Sequence, residues 1–323
     1  STLVSRKVLK LADALTSSRS VLAAVSAARR SNTFISAVFN MTSGVKVFKK
    51  GAPVMGALFL CLGIFLLGLG RDAFARSAGC SVPRFDLIVG VKSVVDGDTI
   101  VLSDGRKVRF IGINTPEIGR KGKVSEPFSQ KARKRVLELL GENPSVKLRI
   151  GVDAKDRYGR LLAHVFTLQG VSVEAVLIRE GLGFAVTFPP NLLLQTCLAE
   201  AQQEARSALR GVWSDSYFRP RQSEVLRSSD AGFRLVQGRV EKVYLKKGGS
   251  WWVLLEGKLA LMISRSSQEY FNQQTLRALE GQKVLVSGWL IKKKLSAKQK
   301  AKGYKPYMMS ARHPAAFIEP AFE

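Results

Sequence analysis

Six residues between positions 98 and 160 have the types and spacing to act on a phosphate ester: Asp98, Arg109, Asn114, Thr115, Glu117 and Arg160. Asp98 follows a tight-turn dipeptide in Val95-Asp96-Gly97-Asp98-Thr99, and Asn114-Thr115-Pro116-Glu117 ends the strand that carries Arg109. Adjacent hairpin strands bring Asp98 and this corner together. An oxygen-rich corner suits a hard cation such as Ca²⁺, with Mg²⁺ or Mn²⁺ as alternatives. Two arginines on rigid elements suit a phosphate, because the guanidinium fork holds oxyanions bidentately. A carboxylate beside a metal can orient or deprotonate a water. Together these parts describe a phosphodiester hydrolase.

Each residue alone is weak. An Asp after a DG turn is usually turn chemistry, a strand Arg is usually a surface charge, Glu117 could simply cap the next segment, and Tyr158-Gly159-Arg160 could be a loop. The set changes the odds, because every piece of one mechanism is present in order. His164 and His313 lack Cys or acidic partners at ligand spacing, so they read as structural rather than as a zinc site.

The elements that must position these residues can be read from turn signals and periodicity. Residues 86–113 read as strands broken at Asp96-Gly97 and Asp104-Gly105. A helix is expected at 127–140, opened by Ser125 and Pro127, then strands at 147–152 and 161–166. A second helix at 171–180 should end before Gly181, and Asn191 should cap a third running to Arg210. The fold class is α+β, mainly β: a small barrel with three helices that closes near Trp213.

The ordered motifs carry a resemblance. Val95-Asp96-Gly97-Asp98-Thr99, Arg109 with Asn114-Thr115-Pro116-Glu117, and Asp156-Arg157-Tyr158-Gly159-Arg160 resemble the staphylococcal nuclease (thermonuclease) family. Glu180-Gly181-Leu182-Gly183 and Gly211-Val212-Trp213 also match its pattern, so the resemblance spans residues 86–215. It implies a five-stranded OB-type barrel with three helices, and Ca²⁺-dependent endonuclease cleavage of DNA and RNA. By position it makes Asp98, Asn114 and the Thr115 carbonyl metal ligands and Glu117 the general base. Arg109 and Arg160 would hold the scissile phosphate, and Arg157 and Tyr158 would flank a terminal phosphate or nucleotide. Two departures stand out. Asn114 occupies a position that is usually Asp, which removes one charge from the metal corner. A base-stacking tyrosine is missing near Val186, which leaves Phe188 as the aromatic substrate contact.

The global charge agrees. Lys and Arg outnumber Asp and Glu by 51 to 25, and the net charge is +26. That points to a polyanionic partner. Residues 1–75 hold ten of the basic residues and two acids, and the remainder still carries +18. Residues 41–75 read as a signal peptide or membrane anchor: Lys46, Lys49 and Lys50, the apolar run 54–70, then Ala73-Phe74-Ala75. Residues 1–40 read as an upstream extension or a transit-like segment, and 76–85 as a leader. The expected location is periplasmic or extracellular, with a membrane tether through 54–70 as the alternative. Cys61 lies in the apolar run, so Cys80 and Cys197 are either a disulfide pair or two unrelated thiols.

Residues 216–232 are polar and read as a linker to a second domain at 233–323. Strands are expected there at 233–245, 251–263, 283–291 and 307–310, with a helix at 267–280. This domain is small and β-rich, and an OB-fold fits it little better than a generic β domain. Lys292-Lys293-Lys294, Lys298, Lys300, Lys302 and Lys305, with Tyr304 and Tyr307, form either a nucleic-acid contact or a solvated loop. Trp251-Trp252 reads as core before platform. Three functions compete: an active nuclease, a nucleic-acid-binding module that has lost catalysis, and a scaffold on anionic lipid. Retention of Glu117 and both arginines favours the first, while Asn114 alone leans toward the second.

Overall fold

The computed structural model describes residues 80–120 and 122–319. The segments 1–40 and 41–75 and residues 76–79 of the leader lie outside the described residues, as does the apolar run 54–70. Among the described residues no helix is long and apolar enough to cross a membrane.

The first barrel is built from β1 (Leu87–Asp96), β2 (Thr99–Leu102), β3 (Lys107–Phe110), β4 (Ile113–Asn114), α1 (Ser129–Leu140), β5 (Ser145–Lys155), β6 (Leu161–Phe166), α2 (Val173–Arg179), β7 (Phe184–Ala185) and α3 (Gln195–Ser207). Five strands close in the order β1-β2-β3-β6-β5, and only β3–β6 is parallel. Alternation along the strands puts Ile100, Leu102, Val108, Phe110, Val146, Leu148, Ala163 and Val165 inside. The short β4 and β7 pair with each other outside the barrel and place Asn114 opposite Phe184.

Helix starts differ from expectation for local reasons. Ser172 caps α2 by accepting the Ala175 amide at 3.2 Å, as a serine at that position should. Asn191 does not cap α3. Its amide is committed to β5 instead, accepting from Asp153 N at 3.0 Å and donating to Asp153 O at 3.1 Å, and the helix begins four residues later. Cys80 and Cys197 are bonded as a disulfide across 117 residues, which ties the chain's entry into this barrel to α3.

Residues 216–232, expected as a linker, are packed rather than loose. Tyr217 and Phe218 lie in a 3₁₀ turn, and β8 (Arg221–Gln222) pairs with the next strand. Ser223 is buried and accepts from the amides of Lys258 and Leu259, and Leu226 is buried in the second core. The second barrel follows: β9 (Gly232–Lys246), β10 (Ser250–Leu255), β11 (Leu259–Ile263), α4 (Gln273–Ala278), β12 (Lys283–Lys292), α5 (Ala297–Ala301), β13 (Tyr307–Ser310) and β14 (Phe317–Glu319). The single strand expected at 251–263 breaks into β10 and β11 at Gly257. That glycine has φ +85°, and a Cβ there would sit 2.6 Å from the Glu224 Cα.

This barrel closes as β9-β10-β11-β13-β12, with β12 returning to β9 and β11–β13 the one parallel step in the ring. The order, the parallel step and a helix between the third and fourth barrel strands repeat the first barrel. Both are OB-type. Phe184 joins the two cores, packing against Trp213, Phe218 and Phe233 with ring centroids 5.2, 5.5 and 5.1 Å apart. Buried Val212, Leu235 and Leu285 complete that cluster.

Candidate active site

Two glycines make the site's corner possible. Gly97 sits in the β1–β2 turn, and a Cβ there would lie 2.7 Å from Ala132 Cβ and 2.8 Å from Thr115 Cγ2. Only glycine lets the Asp96–Asp98 turn close onto the Asn114–Glu117 corner and α1. Gly183 plays the same part on the other side, since a Cβ there would press on the Asn114 carbonyl at 3.0 Å.

The turn brings Asp98 to Thr115. The Asp98 carboxylate is buried and accepts from the Thr115 amide at 2.9 Å, the Thr115 hydroxyl at 3.1 Å and the Thr99 hydroxyl at 3.1 Å. Arg109, opposite Thr99 in the ladder, pairs with the same carboxylate at 3.1 Å. Its other donors reach the carbonyls of Phe110 and Ile113 at 2.7 and 2.8 Å. Three of the five guanidinium donors are thereby engaged, which fixes the fork and leaves two for a substrate oxygen.

Asp96 belongs to the site as well, although its turn chemistry disguised it in the sequence. Its carboxylate accepts the Asp98 amide at 3.2 Å. Burial first, then the Asp98 and Glu117 charges, push its pKa up to about 6, against the lowering effect of that hydrogen bond and of one from Thr99. Glu117 is also raised, first by the surrounding protein and then by Asp98, with Arg109 pulling the other way. Asp96, Asp98 and Glu117 therefore crowd one another.

Arg160 is positioned by its own loop. Asp156 accepts the Arg160 Nε at 2.7 Å and its amide at 3.0 Å, and Gly159 supplies the left-handed turn at φ +75°. Burial alone would raise the Asp156 carboxyl. The hydrogen bonds from Arg160 and Tyr158 outweigh it and hold that carboxyl below its ordinary value. With Nε engaged, the terminal nitrogens of Arg160 remain as donors, and its guanidinium carbon lies 5.5 Å from the Tyr158 ring centre. Glu117 and Arg160 line one cavity of about 850 Å³, together with Asp96, Lys107, Arg120 and Lys123.

That cavity is completed from beyond the first barrel. Tyr217 and Arg234 line it, and neither was indicated by the motifs. The Tyr217 hydroxyl donates to Glu126 Oε1 at 3.0 Å, and Glu126 Oε2 accepts the Glu117 amide at 2.9 Å. Arg234 lies 3.9 Å from the same carboxylate, with its guanidinium 5.4 Å from the Tyr217 ring centre. The Glu126 amide donates back to the Glu117 carbonyl at 2.9 Å, which closes the base of the 117–126 loop.

Of the expected residues, Glu117 and Arg160 line the cavity, whereas Asp98, Arg109, Asn114, Thr115, Arg157, Tyr158 and Phe188 are not in its lining. Arg157 and Tyr158 are neighbours, with the Arg157 Nη2 donating to the Tyr158 hydroxyl at 2.6 Å, and Tyr158 is exposed. Phe188 is not brought to the cavity. Its ring packs on Trp289 at 5.5 Å and under Arg312 at 5.2 Å, both from the second barrel. His164 is buried with its Nδ1 3.7 Å from buried Glu174, in keeping with a structural role.

The donor set fits a hard cation. Asp96, Asp98, the Asn114 side-chain carbonyl and the Thr115 carbonyl offer hard oxygen donors, and the Asp98 and Glu117 charges beside Asp96 put three carboxylates close together. Among the described residues no three Cys, His, Asp or Glu side chains form a ligand cluster by themselves, so Asn114 and a backbone oxygen would have to share the coordination.

A family model described as Staphylococcal nuclease homologue matches residues 107–215, which leaves the second barrel outside the match. The chain is 36% identical over 126 residues to the Thermonuclease of Staphylococcus intermedius, covering 38% of this chain and 74% of the relative. It is 34% identical over 143 residues to the Thermonuclease of Staphylococcus hyicus, covering 43% and 83%. Over 135 residues it is 36% identical to Endonuclease YncB of Bacillus subtilis (strain 168), covering 40% and 62%.

Proposed function

Since the chain belongs to the staphylococcal nuclease family, we propose that it is a metal-dependent endonuclease that hydrolyses phosphodiester bonds of DNA and RNA at the cavity between Asp98 and Arg160. The observation that carries this reading is the convergence of Glu117 and Arg160 on one cavity beside the buried Asp98–Arg109 pair. Asp98, Asn114 and the Thr115 carbonyl would hold the cation, with Asp96 beside them and Ca²⁺ the expected ion. When bound, the ion supplies Lewis-acid stabilisation of charge on the phosphate.

The protein's own groups perform the rest. The Glu117 carboxylate takes a proton from the attacking water as the new oxygen–phosphorus bond forms and the bond to the leaving oxygen breaks. The two uncommitted donors of Arg109 and the terminal nitrogens of Arg160 hold the phosphoryl oxygens while charge gathers on them. The elevated Glu117 pKa suits this exchange, since a base nearer the working pH both accepts and releases a proton readily. Arg157 and Tyr158 serve as outlying substrate contacts.

Export is part of the same proposal. The Cys80–Cys197 bridge supports an oxidising location, because such bonds persist chiefly outside the cytosol. Residues 41–75 have the composition of a signal or a tether. Incubation of the full chain with plasmid and single-stranded DNA, in Ca²⁺, Mg²⁺, Mn²⁺ or chelator, tests the activity. Metal-dependent cutting is expected, and no cutting with any metal removes the enzyme reading.

A further inference from the structure

We propose that the second barrel carries its own groove for single-stranded nucleic acid, separate from the catalytic cavity. Strand alternation splits the tryptophan pair: Trp251 enters the core and Trp252 faces outward. Trp252 stands opposite Tyr244 on β9 and Met262 on β11. Leu254 lies two residues along the same face, and Ala260 stands opposite both Leu254 and Met308. The outer surface of a small barrel is ordinarily polar. Here it presents aromatic and aliphatic side chains. The β12–β13 connection, residues 293–306, folds over them and encloses about 390 Å³. Tyr307 is not part of it, being buried in the core.

The lining defines the ligand. Its charged members are all lysines: Lys246, Lys293, Lys294, Lys302 and Lys305. Lys305 is paired with Glu241 and Lys246 lies over the Trp252 ring, while Lys293, Lys294 and Lys302 are exposed on the covering loop. Tyr304, 46% exposed, adds a ring from that loop. Rings flanked by lysines match unpaired bases strung on a phosphate backbone: the bases stack, and the phosphates meet the ammonium groups. A duplex hides its base faces and would use the lysines alone.

Strand β9 connects this groove to the catalytic cavity. Arg234 near its start lines the cavity, and Tyr244 lines the groove ten residues later. Ten strand residues span at most about 33 Å. One flexible strand can therefore occupy both, so the groove would hold substrate near the site that cuts it.

The test uses the full chain in chelator, which separates binding from cleavage. A fluorescein-labelled oligothymidylate of about 20 nucleotides is titrated by anisotropy, long enough to fill an OB groove. Trp252→Ala and Tyr304→Ala should each weaken binding about 5-fold or more, and Trp252→Phe should retain most of the affinity. Lys293→Ala with Lys294→Ala should lower the slope of log affinity against log salt by about 1.4. All these variants should still cleave a dinucleotide at the wild-type rate with metal present. Unlabelled duplex, and vesicles of phosphatidylserine and phosphatidylcholine, should compete poorly. Unchanged affinity and salt slope in the lysine variant, whose exposed loop positions spare the fold, would overturn the proposal. So would vesicles that displace the oligonucleotide in wild type but not in the lysine variant. Either failure leaves the nuclease reading intact, because dinucleotide cleavage is scored separately.

Discussion

The Tyr217 hydroxyl donates to the Glu126 carboxylate at 3.0 Å across 91 residues of sequence. Because the other oxygen of Glu126 holds the Glu117 amide, this bond runs from the segment joining the two barrels to the backbone of the proposed base. A hydrogen bond to a charged acceptor contributes about 1.5–3 kcal/mol. Tyr217→Phe should lower the melting temperature by a few degrees and, if the bond also holds the base in place, should lower kcat by up to about tenfold with KM nearly unchanged. Steady-state kinetics on a short substrate, with a thermal melt beside it, checks both. A fall confined to stability would reduce Tyr217 to a packing residue.

Asn114 sets the acidity of the metal corner. Asn114→Asp adds a carboxylate to a site that tightens with ligand charge. Calcium titration by calorimetry should show higher affinity in the variant. Unchanged or weaker binding would remove Asn114 from the ligand set.

Asp96 links the corner to pH. Its carboxyl has a folded value of about 6 against an ordinary 3.8, so the native state binds its proton more tightly than the unfolded chain. Its contribution to stability is fully present below about pH 4 and is lost as pH rises through about 6. In chelator, Asp96→Asn should melt a few degrees above wild type near pH 7, with the gap closing toward pH 4. A difference that does not change with pH would contradict this account.

The disulfide closes a long loop, and such bonds typically stabilise by about 2–5 kcal/mol. Cys197→Ser should lower the midpoint of urea unfolding, and reductant should then have no further effect. Equal midpoints for the variant and oxidised wild type would show that the bridge adds nothing.

The part of the site that was legible in the sequence is the part built by short-range geometry. Asp98, Arg109 and Thr115 meet because tight turns join adjacent strands, and the turn glycine announces itself. Asp96 is hidden in the sequence by its own DG turn, which accounts for an Asp there without a functional role. Tyr217 could not be read, since a polar stretch rich in Ser and Arg looks like a linker until Ser223 and Leu226 are seen to be buried in it, and Arg234 is one strand arginine among many until the two barrels pack together. Asn191 looked like a cap, but nothing local reveals that β5 claims its amide first. Phe188 stands near the position of the missing base-stacking tyrosine, but tertiary packing sets its ring against Trp289. The inside–outside split of Trp251 and Trp252 follows from strand alternation, and the register with β9 decides which of the two is inside.

Glu117 bears most directly on the central claim. Glu117→Gln keeps size and polarity while removing the base, and general-base catalysis is worth about 10²–10⁴-fold. Single-turnover cleavage of an end-labelled single-stranded DNA, wild type beside the variant in the same metal, isolates the chemical step. The variant should bind the DNA normally and cleave it at least about 10²-fold more slowly. Cleavage at the wild-type rate would contradict Glu117 as the base.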